Sequence, residues 1–205
     1  SISRHQRIPL PNANWIDTIY HGLSHTSFTL HQTAGDYLAF LGRISPEKRP
    51  DRAISIARAA GLPLKIAAKV DAADREYFEQ RICPLLTLPG IEYIGEIGDH
   101  EKSDFLGNAR ALLFPIDWPE PFGLVMIEAM ACGTPVIAWN CGSVPEVVEH
   151  GVTGFIINSE QEAVVATRQV LELDRQAIRD VFVNRFSAKV MAQRYVDLYR
   201  TLTAG

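Results

Sequence analysis

From Tyr37 onward the apolar positions fall into two alternating patterns: short unbroken runs, and segments whose apolar residues stand three and four apart. The runs predict strands at Tyr37–Leu41, Leu64–Val70, Ile91–Ile94, Ala111–Phe114, Pro135–Ala138 and Phe155–Ile157. The segments between them predict helices over Pro50–Ala60, Ala73–Pro84, Lys102–Asn108 and Leu124–Ala131, with a short turn around Pro145–Glu149. Ser159-Glu-Gln-Glu162 is a capping box, which opens a helix running toward Leu173. A final helix over Ala188–Leu202 aligns Val190, Met191, Tyr195, Leu198 and Leu202 on one face. Ahead of Tyr37 a proline- and asparagine-bearing loop leads to a short strand over Trp15–Tyr20, and SHTSFTLHQTAGD reads as a polar linker. Strands that are apolar throughout are covered on both faces, so the expected fold is α/β: a doubly wound, Rossmann-like parallel sheet flanked by helices. Ligands of such a sheet sit beyond the carboxyl ends of its strands.

Composition narrows the ligand. The 205 residues are 47% hydrophobic and 21% charged, which suits a globular chain of one ordinary domain with part of a second. A net charge of −4 gives no support for nucleic-acid binding, so an anionic ligand must be met by local cations. Cys83, Cys132 and Cys141 are too scattered for a disulfide framework or a zinc site. His21 and His25 lie in coil with no third ligand evident, and no metal site is expected. No signal peptide opens the chain and no apolar stretch is long enough to span a membrane, which reads as cytoplasmic. The first residue is not methionine, and the opening segment reads as the tail of something earlier.

The usual phosphate devices are missing. No two glycines stand two apart, which excludes G-x-G-x-x-G; no Gly-Lys pair exists for a Walker A loop; and no two aspartates stand two apart to hold a divalent ion. Two other devices are present. Gly42-Arg-Ile-Ser-Pro-Glu-Lys48 follows the first strand, with Gly42 allowing close backbone approach and Arg43 and Lys48 offering two cations to a phosphate. By itself this loop reads equally as a solvated turn with a Glu47–Arg49 pair. The second is EPFGLVMIEAMACG, Glu120 to Gly133, where Glu128 is the single charge inside the apolar run that follows Gly123. Amides near Phe122, Gly123 and Leu124 open a helix and form an anion site, with Glu128 one turn inside on the face of Leu124. A carboxylate there can accept two hydrogen bonds from a ribose diol. It can equally be a buried ion pair with an Arg or Lys elsewhere in the chain.

Together, Gly42-Arg43…Lys48, Glu120-Pro-Phe-Gly-Leu-x-x-x-Glu128, Ala131-Cys-Gly-Thr-Pro-Val, Gly142-Ser-Val-Pro-Glu-Val-Val and Gly151-Val-Thr-Gly154 resemble the donor-binding, C-terminal half of a GT-B glycosyltransferase of family 4, over about Ala39 to Leu202. The resemblance implies retaining transfer of a sugar from a nucleotide-sugar to an acceptor hydroxyl, with no essential metal and no further cofactor. It implies that Arg43 and Lys48 bind the donor diphosphate and stabilise the leaving phosphate. Glu120 then faces the transferred sugar, Glu128 takes the ribose hydroxyls, the Phe122–Leu124 backbone holds sugar hydroxyls and phosphate, and Ile94 and Gly95 lie against the base. Gly42 lets the backbone approach the donor. Two departures stand out: Ala68-Lys69-Val70-Asp71 occupies the place of a common Gly-x-Gly turn, with Lys69 either a further phosphate contact or a surface residue, and Arg49-Pro50 follows Lys48 where glycine is common.

The resemblance also implies a partner domain. Residues 1–23 read as a remnant of the N-terminal acceptor domain and hinge, and 24–205 as the nucleotide-sugar domain with its C-terminal helix. Tyr195, Leu198 and Tyr199 then form an apolar face that meets either that missing domain or a second copy of the chain. In a longer enzyme the membrane periphery is open as a location. Alone, the chain is expected to bind nucleotide without transferring sugar. The alternatives are a stand-alone nucleotide or nucleotide-sugar binding module and a different GT-B chemistry such as an epimerase or phosphorylase.

Overall fold

The computed structural model describes residues 1–203. Its strands are β1 (Leu38–Arg43), β2 (Leu64–Lys69), β3 (Ile91–Gly95), β4 (Ala111–Phe114), β5 (Val136–Trp139) and β6 (Gly154–Ile157). All pairings are parallel, in the order β3-β2-β1-β4-β5-β6. The helices are α1 (Pro50–Ala60), α2 (Arg75–Tyr77), α3 (Cys83–Leu86), α4 (Asp99–Gly107), α5 (Leu124–Ala131), α6 (Val144–Val147), α7 (Glu160–Gln169), α8 (Arg175–Phe186) and α9 (Ala188–Thr203).

Successive strand residues point to opposite faces, and each face has its own core. Leu38, Phe40, Leu113 and Ile137 pack with Ile54 and Ile56 of α1 and Ala163 and Ala166 of α7. Ala39, Leu112, Phe114 and Val136 pack with Met126, Ile127 and Met130 of α5 and Ile178, Phe182 and Phe186 of α8. This is the doubly wound sheet that the unbroken apolar runs predict. Edge strand β3 departs from them: its residues alternate between half-buried and exposed, so one of its faces is covered less than the other. The chain winds from β1 to β2 and β3 on one side and from β4 to β5 and β6 on the other. The reversal between β1 and β4 opens a crevice at their carboxyl ends.

Three predicted elements differ. The helix over Ala73–Pro84 is divided, because Pro84 has no amide to donate and crowds the preceding turn; a π turn, Phe78–Ile82, absorbs this between α2 and α3. Trp15–Tyr20 forms no strand and joins no sheet. The Ile19 amide bonds the Ser1 carbonyl at 2.9 Å, and the run's apolar character is used in packing, with Tyr20 against Phe122 and Phe186. The helix at Lys102 begins earlier, at Asp99, since the Gly98 amide bonds the Glu101 carboxylate at 2.8 Å and closes a capping interaction there.

The polar linker is held down rather than free. The His31 amide bonds the Cys132 carbonyl at 3.1 Å, and the Thr29 amide bonds Ser103 Oγ at 2.9 Å. Helix α8 went unpredicted, although Ile178, Phe182 and Phe186 mark one buried face four residues apart. Helix α9 buries no residue; Tyr195 and Tyr199 of the predicted face are exposed, as are Val196 and Leu202, while Leu198 is half-buried.

Candidate functional site

The loops after β1 and β4 face each other across the crevice, and two abutting cavities occupy it. The larger, about 390 Å³, is lined by Ala68, Lys69, Glu96, Ile97, Asp99, Lys102 and Glu128; the smaller, about 180 Å³, by Lys48, Phe114, Glu120 and Gly123. Leu41, Gly42, Arg43, Leu124 and Val125 line both and join them. A groove of about 340 Å³ beside β6 is lined by no lysine or arginine, so it offers an anion nothing comparable.

Lys48 and Glu120 meet in the smaller cavity. The ammonium donates to the carboxylate, and only 17% and 12% of the two side chains are exposed. Trp118 Nε1 donates to the same carboxylate oxygen at 3.0 Å, and the Trp118 ring centroid lies 5.1 Å from Lys48 Nζ. Lys48 is therefore no solvated loop residue. Arg43 is half exposed and bridges Glu47 at 3.3 Å and Asp71 at 3.4 Å. Lys69 also bonds Asp71, at 3.0 Å, and is its neighbour across the β1–β2 register from Arg43. The Glu47–Arg49 pair does not form: Arg49 bonds Asp51 and Asp117, each at 2.9 Å.

Arg49 has φ 54°, the one non-glycine residue of left-handed backbone among the described residues. That conformation costs roughly 1–2 kcal/mol for an L-residue, and the fork to Asp51 and Asp117 holds it. Pro50 then starts α1 at its first position, where no amide is needed. The departure from glycine after Lys48 thus keeps the glycine-like backbone.

Glu128 holds on to Lys102. Its Oε1 accepts from Nζ at 3.3 Å, and the same ammonium bonds Asp99 at 2.9 Å. The buried ion pair that the sequence leaves open is present, and the carboxylate also lines the larger cavity. Burial pushes the Glu128 pKa up, against the opposing pull of Lys102. The amides of Gly123, Leu124 and Val125 at the start of α5 have no acceptor among the described residues. Phe122 is different: its ring is buried against Tyr20, His21 and Phe186, and its carbonyl accepts from Ser143 Oγ at 2.8 Å. Ile94 and Gly95 line neither cavity; Gly95 pairs with Ala67, and Glu96 and Ile97 beyond it reach the wall.

Lys102, Asp99, Glu96 and Trp118 are site residues that the sequence reading missed. A helix start at Gly98-Asp-His-Glu101 is the signal that places Lys102 in its first turn, facing α5. Among the described residues no group of three or more His, Cys, Asp or Glu is placed to hold a metal ion, and no helix is long and apolar enough to cross a membrane.

The loop that carries Glu120 is fastened from behind. The Ser143 amide bonds the Glu120 carbonyl at 2.9 Å, and Gly142, at φ 61°, would place a Cβ 2.4 Å from the Glu120 amide nitrogen. Gly142→Ala is expected to lower Tm by about 2–12 °C, from about 1–3 kcal/mol of strain. Calorimetry checks this, with Gly42→Ala, whose Cβ meets nothing within 4 Å, as the unaffected control.

The family model for glycosyl transferases group 1 matches residues 27–185. The chain is 30% identical over 182 residues to D-inositol 3-phosphate glycosyltransferase of Rhodococcus erythropolis, covering 80% of this chain and 40% of that one. It is 29% identical over 196 residues to alpha-maltose-1-phosphate synthase of Mycolicibacterium smegmatis, covering 82% and 48%. The chain thus spans less than half the length of these curated relatives. The crystal structure of AviGT4, a glycosyltransferase involved in avilamycin A biosynthesis, superposes with a TM-score of 0.85 at 27% identity, over 100% of this chain and 63% of that one. With well over half of its residues under the family model and its sheet on the fold of a solved glycosyltransferase, this polypeptide belongs to the glycosyl transferases group 1 family.

Proposed function

We propose that the chain is the nucleotide-sugar donor-binding half of a retaining glycosyltransferase that needs no metal ion. The observation that carries this reading is the convergence of Arg43, Lys48, Glu120, Glu128 and the first amides of α5 on one crevice at the sheet's reversal point. In this reading Arg43 and Lys48 take the donor diphosphate, replacing Asp71 and Glu120 as their partners by phosphate oxygens. Fixed cations and the positive end of α5 stabilise charge on the leaving diphosphate as the sugar passes to an acceptor hydroxyl. Glu120, released from Lys48, turns to the sugar. Glu128 accepts from the ribose, and the base rests where β3 ends, at Gly95–Ile97. Residues 1–23 are the remnant of an acceptor domain, and the exposed face of α9 is covered by the rest of a longer enzyme. The chain alone binds nucleotide and transfers nothing.

Calorimetric titration with UDP, GDP and ADP, each with magnesium and with a chelator, tests the reading. Micromolar binding of one nucleotide, unchanged by the chelator, is the expected result; no binding of any overturns it. Gly42→Val supplies the structural control. A Cβ at Gly42 meets nothing within 4 Å, yet the residue lines both cavities. The variant is expected to melt with the wild type and to lose about tenfold or more in nucleotide affinity, because its branches fill the site.

A further inference from the structure

The Lys102–Glu128 pair has an uneven division of labour. Lys102 Nζ bonds Oε1 of Glu128, while Oε2 has no donor among the described residues. The carboxylate side chain is 12% exposed and lines the larger cavity. Lys102 is itself anchored by Asp99, three residues earlier on α4. One oxygen is thus fixed and the other is left for a ligand.

An isolated carboxylate at such a depth takes up a proton, since desolvation disfavours its charged form. The groups that face it decide whether it does. Lys102 and Asp99 face it from α4, Arg43 from the end of β1, Lys69 from the end of β2 and Glu96 from the turn after β3. Cys132 lies one turn farther along α5, and burial pushes its thiol up to about 12, so it is neutral at working pH. Arg43 and Lys69 are committed to Asp71, and Arg43 also to Glu47. Lys102 is the cation in hydrogen-bond contact with Glu128.

We propose that Lys102 is a positioning residue for nucleotide recognition: it keeps Glu128 ionised and turned so that its free oxygen accepts from the ribose hydroxyls. This rests on the donor-site reading above and adds a residue and a pH dependence to it. A protonated Glu128 would lose its strength as an acceptor, because hydrogen bonds to a charged group are about twice as strong as neutral ones. Lys102 opposes the rise that burial imposes on the Glu128 pKa, so without it that pKa should rise further, and ribose recognition should fade as pH falls through it and return as pH rises.

The test compares a ribonucleoside diphosphate (the tightest of UDP, GDP and ADP) with its 2′,3′-dideoxy analogue, by calorimetry from pH 6 to pH 9. In the wild type the ribose compound is expected to bind about tenfold or more tightly, with a flat pH profile. In Lys102→Met the preference should be smallest at the acid end of this range and grow as pH rises, while Lys102→Arg keeps it. Lys102→Gln, which retains a donor without the charge, carries the same expectation if the methionine variant does not fold. A Lys102→Met preference equal to wild type at every pH, or an equal loss for both analogues at every pH, overturns the inference and leaves the donor-site reading standing. A wild-type protein that binds no nucleotide overturns both.

Discussion

Lys48→Met is expected to weaken nucleoside diphosphate binding by about 10- to 150-fold and to leave nucleoside binding within about twofold. The loss corresponds to about 1.5–3 kcal/mol, the contribution of a hydrogen bond to a charged group. The same change acts on the fold. Glu120 would keep only the Trp118 indole as a donor, in a site where 12% of its side chain is exposed. Leaving one member of a buried pair alone costs about 3–5 kcal/mol at full burial, and the residual exposure lowers this to about 1–3 kcal/mol. Glu120→Gln added to Lys48→Met removes the stranded charge, so the double variant should recover most of the lost Tm without recovering diphosphate affinity. Equal losses for nucleoside and diphosphate would show that Lys48 does not meet a phosphate. An unchanged Tm in the single variant would show that the ion pair adds nothing to the fold.

The residues that the sequence exposes best are those whose chemistry is local. Gly42 and Arg43 end β1 and Lys48 follows five residues later, and Leu124 and Glu128 stand one helical turn apart, so spacing alone places each group on a common wall. The six strands were legible for a similar reason: a strand covered on both faces has no polar alternation to confuse it, and even the half-exposed β3 was found. What spacing cannot give is partnership across the fold. Lys102 is 26 residues from Glu128, and only the packing of α4 on α5 brings them together. Lys48 and Glu120 are 72 residues apart, and the sequence offers each as a ligand contact, whereas in the fold they are first each other's partner. Trp15–Tyr20 failed for the opposite reason. Its apolar pair Ile19-Tyr20 reports burial, not hydrogen bonding, and the segment pairs with no strand among the described residues.

Arg175→Met is expected to destabilise the protein by about 2–4 kcal/mol and to lower Tm by about 4–16 °C. Arg175 opens α8 and is 6% exposed. Its guanidinium donates to the carbonyls of Ala109 at 3.0 Å and Gly107 at 2.8 Å, and to Thr134 Oγ1. These two carbonyls lie at the carboxyl end of α4 and in the turn into β4, where a helix leaves acceptors unsatisfied and its dipole is negative. Among the described residues no carboxylate is bonded to this cation, so the helix end takes the place of a counter-ion. Burial opposes the arrangement, drawing the guanidinium pKa below its ordinary value. Methionine would remove that desolvated charge and fill much of the volume, which offsets part of the loss, but it would leave two buried carbonyls without donors at about 1–3 kcal/mol each. Lysine, with one compact ammonium in place of a fork, should fall between the two. The far end of α4 carries Lys102, so nucleotide affinity measured well below the lowered Tm should stay within about twofold of wild type. A Tm equal to wild type would mean that the carbonyls find other donors, and that α8 is held to the α4–β4 turn by its apolar face alone.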